Sequence, residues 1–442
     1  MLVQQRGAIA VLVLAAATAW LARDRQPAWA RVPRRPWTSA AAVAAARVPV
    51  VLTGAPVEAW PALAQWRGDD GFAGALPPLL RGVVVRDGAG ASGHAYWNSG
   101  LPLGALLAEP PSSMQRADMR PGELLRRVGA GGRLYWSAAL GGGAEGAGGE
   151  VGGAGEAGGG VDAALRPRTF LLVDGAAAGN SSRLWLGAHG TATRTHYDTS
   201  HNFFAQLRGT KRFVLTPPAA HGALQLHPWA HPLSIFAQVA ETALPPGSGS
   251  LVADLGPGDL LYIPPLHFHR TDAGPGLSVG VNVWSNSREG DVSGAIEEAP
   301  PDELFEDATP PARRRALLAA LVADLADAVL LRAGARATVV EALRGRWRPH
   351  LAAFGCAPQP QALRCPPREE LRCAARRAAL RRHAAHVAAA FRSLHALPGG
   401  AAAAELLLVN YVEDVAAAAL GLAAPPPGSC HALPLFYFCL DA

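Results

Sequence analysis

Between residues 168 and 284 the chain alternates short apolar runs with turn residues. Arg183-Leu184-Trp185-Leu186, Phe203-Phe204-Ala205-Gln206-Leu207, Arg212-Phe213-Val214-Leu215, Asp259 to Ile263 and Leu277 to Trp284 each have the length and the aromatic or β-branched content of a strand. Short strands at this spacing predict a sandwich or barrel. Gly209, between the second and third runs, predicts a tight hairpin. Upstream, residues 48–54 read as a strand and turn, residues 59–66 as a short amphipathic helix, and Val83 to Val85 and Arg133 to Trp136 as strands. From about residue 302 the period changes. Ala, Leu and Arg recur at helical spacing over 311–333, 367–396 and 401–421. Strands followed by helices predict an α+β chain, with the β domain over 31–300 and a helical region over 301–442.

Composition alters this picture in three places. Residues 141–161 are almost all Gly, Ala and Glu, which cannot build a core, so a disordered insertion looping out of the β domain is expected there. Residues 7–22 are apolar, with Arg6 before them and Arg23 and Arg25 after. The run is shorter than the ~20 apolar residues of a membrane span. With Ala28-Trp29-Ala30 as a small-x-small cleavage site, residues 1–30 read as a secretory signal peptide, with an uncleaved anchor or an organellar transit peptide as alternatives. That reading places the chain in the secretory lumen or at a membrane and gives meaning to the sequon Asn180-Ser181-Ser182. The five cysteines, Cys356, Cys365, Cys373, Cys430 and Cys439, all fall late. They read as disulfides or buried thiols; zinc on Cys365, Cys373, His383 and His386 is an alternative without the close CxxC spacing. The formal net charge of +5 comes mostly from arginine runs such as 313–315 and 376–377. No lysine or aromatic is interleaved with them, so they read as solvated helix faces, and no nucleic-acid partner is expected.

The candidate chemistry lies within the strand-rich stretch. His196 and Asp198 are two apart, and on a strand such residues share a face. A third ligand is expected from another strand, and the segment Gly256 to His269 runs turn, buried strand, proline break and two histidines, His267 and His269. Two histidines and a carboxylate on one face leave open positions, as in non-haem Fe(II) oxygenases. Of the 40 basic residues only Lys211 is lysine, fifteen residues past His196. An inward-facing ammonium in a barrel is costly unless an anion meets it. His201, His221, His227 and His231 read as surface or loop histidines, with His201 close enough to the metal strand to reach substrate.

Taken in order, His196-Tyr197-Asp198, the run from Asn202 through Gly209-Thr210-Lys211-Arg212 to Pro218, Gly258-Asp259 through Ile263-Pro264, and Val281-Asn282-Val283-Trp284 resemble the JmjC/cupin-like 2-oxoglutarate oxygenases. Within that family the stretch is most similar to the asparaginyl hydroxylase that inhibits hypoxia-inducible factor. The resemblance implies a double-stranded β-helix, with Fe(II) on His196, Asp198 and His269. It implies 2-oxoglutarate chelating the iron and meeting Lys211 with its far carboxylate, helped by Thr193 and Tyr135. Asn202 and Asn282 would line the cosubstrate pocket and Trp284 would close a wall. His267 stands where the family usually has an aromatic residue and is read as facing substrate or supporting the ligands. O2-dependent hydroxylation of a protein side chain is the implied activity. N-methyl-lysine demethylation and a non-catalytic cupin-like binding module are alternatives. A homodimer through the C-terminal helices is expected from the same resemblance and the long Ala/Leu pattern.

Overall fold

Side chains of two β-sheets alternate between a shared interior and the outside. A computed structural model describes residues 29–86, 95, 98, 100–101, 114–140, 159–173, 181–298, 311–332, 334–353 and 374–420. In chain order the strands are β1 (Ala30–Arg31), β2 (Arg34–Pro36), β3 (Val50–Thr53), β4 (Leu80–Arg86), β5 (Met114–Met119), β6 (Arg133–Ala139), β7 (Ser181–Ala188), β8 (Ala192–His196), β9 (His201–Arg208), β10 (Lys211–Thr216), β11 (Leu251–Leu255), β12 (Leu260–Ile263), β13 (Phe268–Ala273) and β14 (Leu277–Ser285). One sheet has the order β1-β11-β10-β13-β8 and the other β2-β3-β12-β9-β14-β7-β6-β4-β5.

The period of two sets the layers. On β9, Phe204 points into an interior cluster with Phe213, Leu215 and Leu255 of the smaller sheet and Tyr135 and Trp185 of the larger. Its neighbours Phe203, Ala205 and Leu207 point the other way. There they meet short helices α1 (Ala40–Ala46), α2 (Pro61–Gln65), α3 (Asp69–Ala75), α4 (Pro121–Gly129) and α5 (Gly159–Ala164) in a second core that includes Trp66 and Phe72. Two facing sheets with helices outside one of them make the α+β jelly roll that the strand pattern predicts.

Two expectations change. Gly209 does not make a hairpin: β9 belongs to the nine-stranded sheet, whereas β10 pairs with β11 and β13 in the five-stranded one. Gly209 turns a corner between sheets at φ +65°, where an added Cβ would lie 2.3 Å from the Leu277 carbonyl oxygen. The glycine-rich tract also ends earlier than expected. Residues 141–158 lie outside the described residues, but Gly159, Gly160 and Val161 open α5, and Val161 is fully buried in the outer core.

Residues 218–240 and the described residues from Arg288 onward form a second compact unit. Its helices are α6 (His221–Leu224), α7 (Arg288–Glu297), α8 (Pro311–Leu330), α9 (Arg336–Ala353), α10 (Ala374–His395) and α11 (Gly400–Leu420). Helix α9 was not expected, because Gly345 and Pro349 interrupt its pattern. Tertiary packing overrides them: Val339, Leu343 and Trp347 are buried, and Arg346 pairs with Glu413 of α11 at 2.5 Å. The Ala/Leu faces that suggested a dimer surface are used within the unit. Among the described residues the exposed large hydrophobics are Val48, Leu79 and Leu331. The apolar segment 7–22, Asn180 and all five cysteines lie outside the described residues. No helix among those described is long and apolar enough to cross a membrane. Of the two histidines in the alternative zinc set, His383 Nε2 hydrogen-bonds the Tyr411 hydroxyl at 2.7 Å and His386 is exposed.

Candidate metal centre

A β-bulge positions the first ligand candidate. His269 on β13 pairs with His196 on β8, and Thr271 pairs with Thr193, so three steps on β8 oppose two on β13. His269 and Thr271 also pair with Leu215 and Phe213, which face the interior. Paired residues share a face, so the slip brings Thr193 and His196 to the same side although they are three apart. Thr195 is left facing away, where its hydroxyl donates to the Glu241 carboxylate.

Asp198 is not on the strand, contrary to the i, i+2 expectation. β8 ends at His196, and the carboxylate sits in the following turn. That turn is fixed by Tyr197, whose ring packs 5.5 Å from Phe268, and by Leu266 N–H, which donates to the Asp198 carbonyl at 2.7 Å. One ligand atom from each of His196, Asp198 and His269 lies within 4.8 Å of the others. The two imidazole centroids are 4.2 Å apart, and His269 Nε2 is 3.8 Å from Asp198 Oδ2.

Hydrogen bonds fix the chemical state of this set. His196 Nδ1 lies 2.8 Å from the Arg194 carbonyl and His269 Nδ1 lies 3.1 Å from that of His267. A carbonyl only accepts, so both protons sit on Nδ1 and both lone pairs on Nε2. Burial holds His196 down to about 4, and the neighbouring His269 adds to this; the Asp198 charge opposes both without overcoming them. Burial alone would raise Asp198. The positive ends of His269 and His196 and hydrogen bonds from Trp284 and Asn202 outweigh it and hold the carboxyl below its usual range. Trp284 Nε1 and Asn202 Nδ2 each donate to Asp198 Oδ2 at 3.0 Å. They are cross-strand partners on β14 and β9, so one register sets both donors.

The other sequence-predicted residues fall around the same interior. Lys211 opens β10, where it is 8% exposed. Its register lies four residues from Leu215, the partner of His269, or roughly 13 Å along the strand. Its Nζ stands 4.8 Å from the Phe204 ring centroid and 5.8 Å from that of Phe213. Phe204 fits there because Gly280 has no side chain; a Cβ at that position would lie 2.2 Å from the Phe204 ring. Burial pushes the Lys211 ammonium down to about 8, against the pull of the Asp272 charge. Tyr135 is buried in the interior cluster, 6.1 Å from Trp185. Asn282 is tied to Trp185, whose indole N–H donates to Oδ1 at 2.7 Å. The structure thus uses Asn202 on the carboxylate, while the buried Oδ1 of that amide has no hydrogen-bond partner among the described residues. His267 precedes β13 and stays outside the ligand cluster; burial pushes it down to about 4, against the opposing pull of the Pro265 carbonyl.

The four histidines expected at the surface or in loops are all buried; His227 and His231 do lie in a loop, whereas His201 opens β9 and His221 opens α6. His201, His221, His227 and His231 are 6%, 4%, 9% and 5% exposed. His201 Nδ1 meets the Tyr262 hydroxyl at 2.8 Å, and burial, helped by the Arg47 charge, lowers it to about 4. Sequence reading missed Trp284 as a donor to Asp198, although its place opposite Asn202 follows once β9 and β14 are paired.

Residues 160–290 match the model of the cupin-like domain. The Jumonji C domain-containing protein 5 of Drosophila melanogaster is 38% identical over 111 residues, which is 23% of this chain and 27% of that protein. The tRNA wybutosine-synthesizing protein 4 of Aspergillus oryzae is 38% identical over 91 residues, 20% of this chain and 9% of that protein. The lysine-specific demethylase JMJ31 of Arabidopsis thaliana is 28% identical over 123 residues, 24% of this chain and 21% of that protein. The matched stretch spans less than a third of each of these relatives. It supports a cupin-like, JmjC-like domain; none of the three is named as an asparaginyl hydroxylase.

Proposed function

We propose that the barrel is an Fe(II)- and 2-oxoglutarate-dependent oxygenase that hydroxylates a protein side chain. His196 and His269 would hold iron through Nε2, with the Asp198 carboxylate as third ligand. The donor set fits that metal, since each ring commits its Nδ1–H to a carbonyl and the carboxylate is kept ionised.

Lys211 is the observation that carries the cosubstrate. It is a buried ammonium with no ion pair or hydrogen bond among the described residues, resting on two aromatic faces. Such a cation costs free energy until an anion meets it. The far carboxylate of 2-oxoglutarate is such an anion, with Thr193 and the Tyr135 phenol as neighbouring hydrogen-bonders and Asn282 and Trp185 as fixed walls. Iron and 2-oxoglutarate together supply O2 activation for insertion into a C–H bond. The residues of this chain orient the ligands, desolvate the pocket and hold one end of the cosubstrate. Arginine at position 211 would present a wide planar fork in place of a compact charge. Lys211→Arg is therefore expected to weaken 2-oxoglutarate binding at least tenfold, about 1.4 kcal/mol, while iron content stays unchanged. Calorimetry on the iron-loaded protein checks this, and normal 2-oxoglutarate affinity in the variant would refute the role.

A second reading, N-methyl-lysine demethylation, is favoured by the likeness to the plant demethylase. A gain of one oxygen in a substrate peptide marks hydroxylation, whereas loss of a methyl group with formaldehyde marks demethylation. Iron and 2-oxoglutarate bound without any turnover would mark a binding module.

A further inference from the structure

We infer that His227, His231 and His350 form a second metal site, suited to a divalent ion of the zinc class, within the helical unit. The inference is independent of the barrel reading. His227 and His231 are four apart on one loop, while His350 comes from α9, more than a hundred residues later. Their ring centroids are 4.4, 5.2 and 4.7 Å apart. One nitrogen from each ring lies within 4.8 Å of the others, and His227 Nδ1 is already 3.3 Å from His350 Nε2. Tetrahedral zinc with bonds of about 2.0–2.1 Å sets its nitrogen ligands about 3.3 Å apart. One pair has that spacing, and side-chain rotation of the third ring completes the set.

The loop is held before any metal arrives. Leu226 bridges Ala237, His227 N–H donates to the Phe236 carbonyl at 3.0 Å, and Gln238 N–H donates to that of Gln225 at 3.0 Å. Gln238 Nε2 donates to the Arg346 carbonyl of α9 at 2.7 Å, one turn before His350. Trp229 N–H donates to Glu413 of α11 at 3.0 Å. Glu413 is also engaged by Arg346 and by Trp347 Nε1, so the nearby carboxylate is committed and the donor set is three imidazoles. Nitrogen donors select zinc, cobalt, nickel or copper over magnesium or calcium, and three of them leave a fourth position for water. Loading exchanges two present contacts for metal bonds: the His227–His350 hydrogen bond and the Leu233 N–H bond to His231 Nδ1 at 3.0 Å. The ion would clip the loop to α9.

The full chain carrying His196→Ala and Asp198→Ala isolates this site from the barrel. Dialysed against Co(II), it is expected to retain one equivalent with the visible absorption of a nitrogen-ligated, four-coordinate ion. Zn(II) should raise its unfolding temperature. Adding His231→Ala and His350→Ala should remove both the equivalent and the thermal shift. Should those variants fold poorly, His350→Gln keeps the volume and should lower Co(II) affinity at least tenfold. The inference is overturned if the double variant binds neither ion above background, or if its equivalent survives loss of the histidines.

Discussion

The five-stranded sheet carries the ionisable groups of the candidate site: His196, His269 and Lys211, with Asp198 just past the end of β8. The nine-stranded sheet contributes amides and rings: Asn202, Asn282, Trp185, Trp284 and Tyr135. Their outer faces differ as well. The larger sheet is backed by helices over a core that includes Phe203 and Tyr262. The smaller one carries ion pairs, Arg212 with Asp254 at 2.6 Å and Arg270 with Glu241 and Asp272 at 2.9 Å each. One sheet therefore holds the charge, and the other holds the charge in place. Stability and ligand chemistry should separate under mutation along that line.

The largest effect is expected on the outer face of the nine-stranded sheet. Phe203→Ala empties a fully buried position and should cost about 3–5 kcal/mol of unfolding free energy. Denaturant titration measures it, and iron affinity of the folded fraction should hold; a joint loss would break the division. Trp284→Phe probes the inner face of the same sheet. It deletes one of the two side-chain donors to Asp198 Oδ2 among the described residues and should weaken iron affinity about 10–100-fold with little change in stability. On the smaller sheet, pH tests Lys211. Its ammonium loses its proton as pH rises through about 8, and only the charged form pairs with a carboxylate. 2-Oxoglutarate affinity should be flat below pH 8 and weaken above it, by up to about tenfold per unit; Lys211→Met should abolish the slope. The smallest effect is expected from Arg31→Ala, which removes an exposed guanidinium paired with Asp254 on the edge strand β1, at no more than about 1 kcal/mol. A larger loss would make the ion pairs structural equals of the helix-backed core.

Most strands were legible because each spans one short run rich in apolar residues, as Phe203 to Leu207 and Leu277 to Trp284 do. The order His196, Asp198, Lys211, His269 was legible because it lies within one short stretch of chain. What failed depends on partners far away in sequence. Whether Gly209 makes a hairpin or a corner is decided by which strands flank β10, and local text does not contain that. The exposure of His201 and His221 depends on Tyr262 and Glu405, 61 and 184 residues on. Helix α9 was hidden by Pro349, whose local cost is met by burying Leu343 and Trp347. His227 and His231 were in view, but their convergence with His350 required that helix.

The bulge on β8 has an evolutionary consequence. Arg194 offers its carbonyl to His196 whatever side chain it bears, so substitutions between Thr193 and His196 leave the ring anchored. An insertion or deletion of one residue there is different. It would turn either the threonine or the imidazole out of the barrel and leave the other behind. Selection on such a site would guard the count of residues more strictly than their identity, so descendants should vary in spelling at 194 while keeping the same length.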